Sequence, residues 1–474
     1  MSEAMEPYCS PPKLPPEEPP EDNRPHVKIH CTVFYDGTGN NRTNTESREA
    51  ENTVYQANKV KAEDNSYEND ITNIAKMEKY IADASGFDHT LNVYVEGPGT
   101  VNDKADTTRG YAFGTGGAGV KQKVEKGIDD LVAKIARTIP SESFIDKLVI
   151  NVFGFSRGAA GARFFVHEVL NDEPTYVMVG NTFVTVPARP IFQRLLNAWY
   201  EITADKVEIS FVGLYDTVAS YGVPFWDAGT RLLKLDSLSR AAVKKVIHLV
   251  AADEHRANFP LTNIDSAGSK GTQIYLPGVH SDIGGSYRES RSEGDLEDKE
   301  PLTINRAYSE DYLQADRQQL IDEGWYKDGE IFIENASFAA RYLGGVVTHA
   351  LPSRPAQHKL NVYRQDISHD YDKIALHIMA DFARKEGVGL EENLEQDECI
   401  YDDLTDIYDL LKSHANGGNS KLGDWFHQTG PAWLKDLRNS HLHFSAHYSL
   451  AGYTIAPNKP NFEDDIRERG THEG

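Results

Sequence analysis

A serine between two glycines is the first feature of this chain that could do chemistry. Residues 154–158 read Gly-Phe-Ser-Arg-Gly, the G-x-S-x-G pattern of a nucleophile turn between a strand and a helix. The pattern alone is common, but an apolar run (KLVINVF, 147–153) enters it and a helical pattern rich in small residues (157–170) leaves it. We therefore predict that Ser156 is a nucleophile at a helix N-terminus, which favours developing negative charge. The alternative is an ordinary strand–loop–helix junction.

A nucleophilic serine needs an acid and a base, which follow it along the chain in the order Ser, Asp or Glu, His in α/β-hydrolases. Asp216 ends the apolar run VEISFVGLY and should lie at the carboxyl edge of the sheet, where ligands bind. His280 follows another strand-like run and enters a glycine-rich loop. We predict that His280 takes the Ser156 proton and that Asp216 orients His280. Asp216 as a turn cap and His280 as a structural histidine remain alternatives. His255 is a rival base, ranked lower because its charged neighbours indicate an exposed helix start.

An acyl-transfer site also needs donors for the oxyanion. The backbone N–H of Arg157 should supply one donor, because it directly follows the serine. The second should come from a loop after an early strand, and Gly37 and Thr38 in DGTGNN (36–41) are the best candidates. The alternative for this loop is a glycine turn with side-chain caps.

Apolar runs and helical patterns alternate along the chain. Short apolar runs between helices are typical of a mostly parallel sheet covered on both faces, so we predict an α/β-hydrolase-like fold. Strands are predicted at 28–35, 91–96, 147–153, 207–215, 246–252 and 272–276, and helices at 71–84, 120–139, 157–170 and 374–387.

Composition divides the chain into five parts. We predict a disordered proline-rich arm over 1–26, a hydrolase core over 27–287 and a charged insertion over 288–368. The core then resumes over 369–460, and a polar tail follows over 461–474. The insertion is a candidate cap or lid, although a solvated insertion without that role explains its composition equally well.

Charge and hydropathy exclude several kinds of protein. The 474 residues carry 73 acidic and 49 basic side chains, a formal net charge of −24, which disfavours a nucleic-acid partner. We find no apolar run long enough for a transmembrane segment and no apolar region of a signal peptide. We therefore expect synthesis in the cytoplasm and, if the protein is exported, a route that reads another signal.

Two further patterns could bind a cofactor or a metal. Residues 114–119 match G-x-G-x-x-G, but the preceding strand ends too far away for a dinucleotide site, so we interpret them as a loop near the active-site rim. His441, His443 and His447 alternate as on a strand face, yet no cysteine or acid lies at clear ligand spacing. Asp282 could join a cation site, but a role as a cap of its own loop is preferred. We expect no cofactor and no metal.

Several longer stretches resemble a known family. They are FYDGTGNN (34–41), NVFGFSRGAAGARFF (151–165), GLYDTVAS (213–220), AADEHRANFP (251–260), PGVHSDIGGSY (277–287), IALHIMADFA (374–383) and, more loosely, HLHFSAHYS (441–449). Through these stretches the chain resembles the bacterial type VI secretion lipase effectors of the phospholipase A kind, within a wider family of α/β-hydrolase-like proteins. The stretches span about residues 28–450, nearly the whole chain.

The resemblance implies the triad Ser156, Asp216 and His280 and hydrolysis of glycerophospholipid acyl esters at a membrane surface. It also implies delivery by the type VI apparatus into the target-cell periplasm, with a spike or tube component and a cognate immunity protein as partners. The insertion at 288–368 and the little room for a large C-terminal membrane anchor depart from the family pattern. An intracellular carboxylesterase or acyltransferase with the same triad, and a catalytically silent binding module, are the alternatives.

Overall fold

The computed structural model describes residues 23–59, 65–107, 110, 114–171, 175–179, 182–186, 191–220, 231–288, 291–293, 302–335, 357–425, 431–448 and 469–474. Most of the predicted proline-rich arm, the middle of the predicted insertion and the start of the predicted polar tail lie outside these residues. Strands and helices are numbered below along the described chain.

The strands are β1 (His26–Tyr35), β2 (His89–Val95), β3 (Phe144–Phe155), β4 (Thr175–Val179), β5 (Thr182–Val186), β6 (Thr203–Ala204), β7 (Val207–Tyr215), β8 (Val243–Ala251), β9 (Leu261–Thr262), β10 (Gly271–Leu276), β11 (Arg291–Glu293), β12 (Leu302–Ala307), β13 (Ile331–Glu334), β14 (His358–Val362), β15 (Arg364–Ile367) and β16 (Thr471–His472). The helices are α1 (Arg42–Glu49), α2 (Thr53–Asn58), α3 (Asn73–Glu78), α4 (Val120–Thr138), α5 (Arg157–Leu170), α6 (Ile191–Tyr200), α7 (His280–Gly284), α8 (Glu310–Asp322), α9 (Asp372–Lys385), α10 (Leu394–Asp397), α11 (Asp402–Asn416) and α12 (Ala432–Ser440).

A parallel sheet forms the centre of the molecule, in the order β10-β8-β7-β3-β1-β2, with β6 paired to the start of β3. The register aligns Val33 of β1 with Val93 of β2 and Val152 of β3. Because all these strands run the same way, the loops that follow them meet at one edge of the sheet. The predicted α/β-hydrolase-like fold is thereby confirmed.

Helices cover both faces of this sheet, which explains the nearly continuous apolar runs of its strands. On one face Val33 and Tyr35 pack in a core shared with α4 and α5. On the other face Phe34 stacks on Phe153 at 5.0 Å between ring centroids, in a core shared with α3 and α9.

The predicted strands of the central sheet are confirmed to within a few residues, and so are the helices predicted at 120–139, 157–170 and 374–387. The helix predicted over 71–84 is wrong beyond Glu78, where α3 ends. Ile81 instead bridges to Leu390, and the Ala82 N–H donates to the Gly389 carbonyl at 3.1 Å. These bonds to a distant segment replace the helical ones, although the apolar spacing continues.

The described part of the predicted insertion forms a small antiparallel sheet, β12-β14-β13, packed against α8. Its buried side chains, including Leu313, Trp325 and Leu360, belong to the same apolar cluster as α9 and the central sheet. The described insertion therefore shares a core with the rest of the protein. Within the described residues, no helix is both long enough and apolar enough to span a membrane.

The described end of the predicted polar tail forms ordered structure. β16 pairs in parallel with β9, and the Leu261 N–H donates to the Gly470 carbonyl at 2.8 Å. This pairing brings the tail to the carboxyl edge of the central sheet, where the residues predicted to be catalytic lie.

Candidate active site

Ser156 lies at a sharp turn between β3 and α5. Its backbone adopts φ 59° and ψ −127°, a conformation that non-glycine residues rarely take and that is common at strained functional positions. Close packing beside it requires glycine: a Cβ on Gly154 would lie 2.6 Å from the Ala159 Cα. The Ser156 side chain is thus presented at the N-terminus of α5, as the sequence predicts for a nucleophile turn.

Asp216 directly follows β7 and is fully buried, also with a positive φ of 41°. Its backbone N–H donates to the Leu249 carbonyl at 2.8 Å, and its Oδ1 accepts the Ala251 N–H at 3.1 Å. The neighbouring strand β8 therefore fixes the acid at the sheet edge. Ser156 lies alongside, because its N–H donates to the carbonyl of Tyr215 at 3.0 Å.

His280 is the first residue of α7, and its Nδ1 lies 2.5 Å from Asp216 Oδ2. Burial lowers the pKa of His280, and the Asp216 carboxylate opposes that effect only partly. A neutral imidazole whose Nδ1–H donates to a carboxylate keeps Nε2 available as a proton acceptor, as a general base requires.

The ring of Phe155 connects His280 with the serine turn. It packs against the His280 ring at 4.5 Å between centroids, and the Phe259 ring contacts His280 edge-on at 5.0 Å. A Cβ on Gly284 would lie 2.1 Å from Phe155 Cε2, so α7 can approach this closely only with glycine there. The structure thus brings together the three residues predicted as a triad.

The 36–41 loop lies against the same turn. A Cβ on Gly158 would be 2.2 Å from the Asp36 carbonyl oxygen, and a Cβ on Gly37 would be 2.5 Å from Phe155 Cδ1. However, the Gly37 N–H donates to Asp36 Oδ1 at 2.7 Å, so the predicted use of this amide as an oxyanion donor conflicts with an existing bond. The N–H of Thr38 makes no such bond among the described residues, and its Oγ1 is buried there without a hydrogen-bond partner.

Three buried charged or polar groups lie around Asp216 and His280 and were not predicted from the sequence. Arg469 binds both carboxylate oxygens of Asp216, at 2.7 and 2.8 Å. Glu254 Oε2 accepts the His280 backbone N–H at 3.1 Å and is itself paired with Arg256. His248 Nε2 accepts the Thr217 N–H at 3.0 Å, and burial lowers the pKa of His248 to about 3. The charged residues in ADEHR (252–256) were a sequence signal that could have pointed to Glu254 and Arg256, whereas no local pattern pointed to Arg469.

The structure also places the other histidines considered in the sequence. His255 is buried, stacked on Phe444 at 4.4 Å between centroids, so the expectation of an exposed helix start was wrong. Residues 441–447 form no strand: His443 pairs with Asp282 at 2.8 Å, whereas His441 pairs with Asp403 at 3.2 Å. Asp282 also accepts the Val279 N–H at 2.9 Å and so caps its own loop, as predicted.

The 114–119 loop lies beside the serine turn, as expected for the rim. A Cβ on Gly114 would meet Arg157 Cδ at 3.5 Å and the Ser220 carbonyl at 3.4 Å. Gly119 is the N-cap of α4, and the preceding strand β2 ends at Val95. The long connection agrees with the sequence argument against a dinucleotide-binding turn.

The sheet order, the strained serine and the Asp–His pair place the protein in the class of α/β-hydrolase-like folds. Residues 194–304 match the family described as the catalytic domain of Tle1-like phospholipase effectors of the type VI secretion system. That segment holds Asp216 and His280, and it bears out the resemblance predicted from the sequence. No curated protein sequence matches the chain significantly.

Several solved structures are similar to this chain, and two of them are described here. The first is described as the Tle1 effector bound to the VgrG spike from the Type 6 secretion system; it is 19% identical, with a TM-score of 0.62, and the match covers 95% of this chain and 94% of that one. The second is an uncharacterized protein from Pseudomonas aeruginosa, 16% identical with a TM-score of 0.44, covering 84% of this chain and 52% of that one. At these identities the first comparison supports the fold.

Proposed function

We propose that this protein is a serine hydrolase that cleaves acyl esters of glycerophospholipids, a phospholipase of the A type. The observation that carries the proposal is the bond from His280 Nδ1 to Asp216 Oδ2, made beside a strained serine turn. Two of these residues lie in the segment that matches the catalytic domain of phospholipase effectors. Lipid esters are therefore the substrate class that the site and the family match favour together.

In the proposed mechanism, His280 Nε2 takes the proton of Ser156 Oγ as that oxygen attacks the ester carbonyl carbon. The oxyanion is stabilised by the N–H groups of Arg157 and Thr38, with the N-terminus of α5 adding to the field. The tetrahedral intermediate then expels the lysophospholipid alkoxide, which takes its proton from His280. Water, activated by the same base, hydrolyses the acyl-enzyme and releases a fatty acid.

We further infer that the protein is an antibacterial effector carried by the type VI system into the periplasm of a target cell. The family match and the fold shared with an effector bound to a VgrG spike support this setting. A spike component and a cognate immunity protein are the expected partners. Co-purification of the untagged effector with a tagged spike protein from the same source would test the first partnership.

The decisive measurement is fatty-acid release from mixed phospholipid vesicles by the wild type and Ser156→Ala. We expect the variant to lose at least about 10³-fold in rate while it keeps the wild-type melting temperature. Ser239→Ala is the matched control, because Ser239 is exposed and its hydroxyl donates to the nearby Asp236 carbonyl. Turnover of a short soluble ester without any lipid release would indicate an esterase instead. No reaction of Ser156 with a fluorophosphonate would contradict the hydrolase itself.

A further inference from the structure

Arg469 is a buried arginine from the far end of the chain that contacts the acid of the triad. Its two Nη atoms donate to the two oxygens of Asp216, at 2.7 and 2.8 Å, in the two-pronged geometry in which guanidinium matches carboxylate best. Its Nε donates to the Phe259 carbonyl at 2.8 Å, and Nη1 also reaches the Ala251 carbonyl at 3.1 Å. The guanidinium is therefore held by several groups, and the Arg469 side chain is 2% exposed.

The acid needs such a partner because its other neighbours bring little positive charge. His280 is neutral before it accepts a proton as the base, since burial lowers its pKa below the usual value. His248, on β8, is neutral for the same reason, with its pKa lowered to about 3. Tyr275, on β10, also carries no positive charge. Arg256 lies near His280, but its guanidinium is paired with Glu254 through two hydrogen bonds of 2.9 and 3.0 Å.

Burial would raise the pKa of Asp216, but the contacts with Arg469 and His280 outweigh it and keep that pKa well below its usual range. A carboxylate that stays ionised and keeps one orientation holds the imidazole in the tautomer that leaves Nε2 free. Arg469 Nη2 and His280 Nδ1 share the Oδ2 atom of Asp216, whereas Arg469 Nη1 bonds the Oδ1 atom. Arg469 thus acts on the chemistry through another residue.

The backbone of residues 469–474 is fixed next to the loop that follows the acid. Asn263 and Ser266 donate their N–H groups to the carbonyls of His472 and Gly474, both at 3.0 Å. Within β9, Thr262 also donates its N–H to the Thr217 carbonyl at 2.9 Å. The strand that receives the tail is therefore bonded to the residue after Asp216, which places Arg469 and the acid on one connected support.

We propose that Arg469 is a positioning residue of the hydrolase site, supplied by the 469–474 segment, which orients the Asp216 carboxylate toward His280. This proposal rests on the proposed hydrolase function. It makes docking of the 469–474 segment a requirement for full catalytic activity.

The test compares wild type, Arg469→Gln and Arg469→Lys in the hydrolysis of a short ester across pH. We expect Arg469→Gln to lose about 10- to 100-fold in kcat with little change in KM, since a misoriented acid affects the reaction step more than binding. The acidic limb of its pH profile should move up by about one pH unit, because Asp216 without its cation binds a proton more readily and His280 becomes more basic. Arg469→Lys keeps the charge, so its acidic limb should stay near that of the wild type while kcat falls by less.

Two controls separate positioning from general loss of structure. Arg240→Gln is the matched substitution, because Arg240 donates to the Leu170 carbonyl at the end of α5 away from Ser156. In an Asp216→Asn background, Arg469→Gln should cost less than about threefold, since the acid through which it acts is already changed.

An acidic limb that stays at the wild-type pH in Arg469→Gln, or a full additional loss in the Asp216→Asn background, would overturn the proposal. If too little Arg469→Gln folds to be measured, Arg469→Lys provides the test instead. A loss of activity in Arg469→Lys that only matches its loss of folded protein would also overturn the proposal. Absence of Ser156-dependent turnover in the wild type would instead defeat the proposed function, and this assignment with it.

Discussion

Asp36 is a buried acid that organises the 36–41 loop beside the Ser156 turn. Its Oδ1 accepts from the Gly37 N–H and the Thr72 hydroxyl, each at 2.7 Å, and its Oδ2 accepts from the Tyr94 hydroxyl at 2.6 Å. Despite these bonds, burial raises the pKa of Asp36 from 3.8 to about 6. The ionised side chain therefore holds the loop in place at a cost to stability near neutral pH.

We predict that the wild type loses stability relative to Asp36→Asn as the pH rises from about 4 to 8. Between pH 3.8 and about 6 the folded protein holds a proton on Asp36 that the unfolded chain has released, so stability falls with pH across that window. The expected relative loss is about 3 kcal/mol, at about 1.4 kcal/mol for each pH unit. Urea unfolding of both proteins at several pH values measures it, and a constant difference between them would contradict the prediction.

At the scale of elements, the unit formed by β3, the serine turn and α5 depends on glycines that allow close backbone contact. Gly158, in the first turn of α5, packs under the carbonyls of Asp36 and Tyr35. Gly161, one turn later, has ordinary clearance, because its nearest neighbour atoms would lie 3.6 Å from a Cβ. The two positions look alike in the sequence, but their surroundings differ.

Gly158→Ala should destabilise the protein and abolish ester hydrolysis. The added Cβ would lie 2.2 and 2.4 Å from two backbone oxygens, which cannot move without displacing the 36–41 loop. We expect a loss of about 1 to 3 kcal/mol in the free energy of unfolding, the usual range for overpacking.

Gly161→Ala on the same helix is the matched control. It should be neutral or gain about 0.5 to 1 kcal/mol, because alanine is the better helix former and fits without a clash. Chemical denaturation and ester turnover of both variants check the pair. Equal effects at the two positions would show that the loop does not press on Gly158 as the structure describes.

At the scale of the whole molecule, buried arginines join segments that are far apart in the chain. Arg364, on β15, donates to the Leu442 carbonyl at 2.7 Å and the Trp325 carbonyl at 3.1 Å. Arg438, on α12, pairs with Asp253 at 2.9 Å, and Asp253 Oδ2 accepts the N–H of Gly278, two residues before His280. Arg438 Nη1 also donates to the Glu323 carbonyl at 3.0 Å, so this buried charge connects the described insertion with the His280 loop.

Arg438→Ala should unfold the protein at a much lower temperature than the wild type. It leaves Asp253 buried without its cation, a change that typically costs about 3 to 5 kcal/mol. Lys359→Ala is the control, because its pair with Glu334 on the insertion surface is exposed and such pairs contribute about 0 to 1 kcal/mol. A thermal melt of both variants tests this, and a similar small effect for both would refute a structural role for the Arg438–Asp253 pair.

Local patterns in the sequence determined much of this protein. The apolar runs predict the parallel strands, and the glycines around Ser156 predict the sharp turn, because both depend on residues close together in the chain. The order of Ser156, Asp216 and His280 also follows from the sequence, since strands that run the same way bring their ends to one edge. The helix at 71–84 was predicted too long, because the apolar spacing of these residues carries no information about the backbone hydrogen bond of Ala82 to a distant segment.

Only the tertiary structure decided which charges surround the proposed triad. Arg469 is 253 residues from Asp216, and nothing in its acidic, polar neighbourhood predicts a buried guanidinium. His255, expected at the surface, is buried because Phe444 and Trp325 come together around it. Pairing between distant buried groups depends on how the whole chain packs. The packing energy comes from contacts between residues that lie far apart in the sequence, so a short stretch of sequence does not predict it.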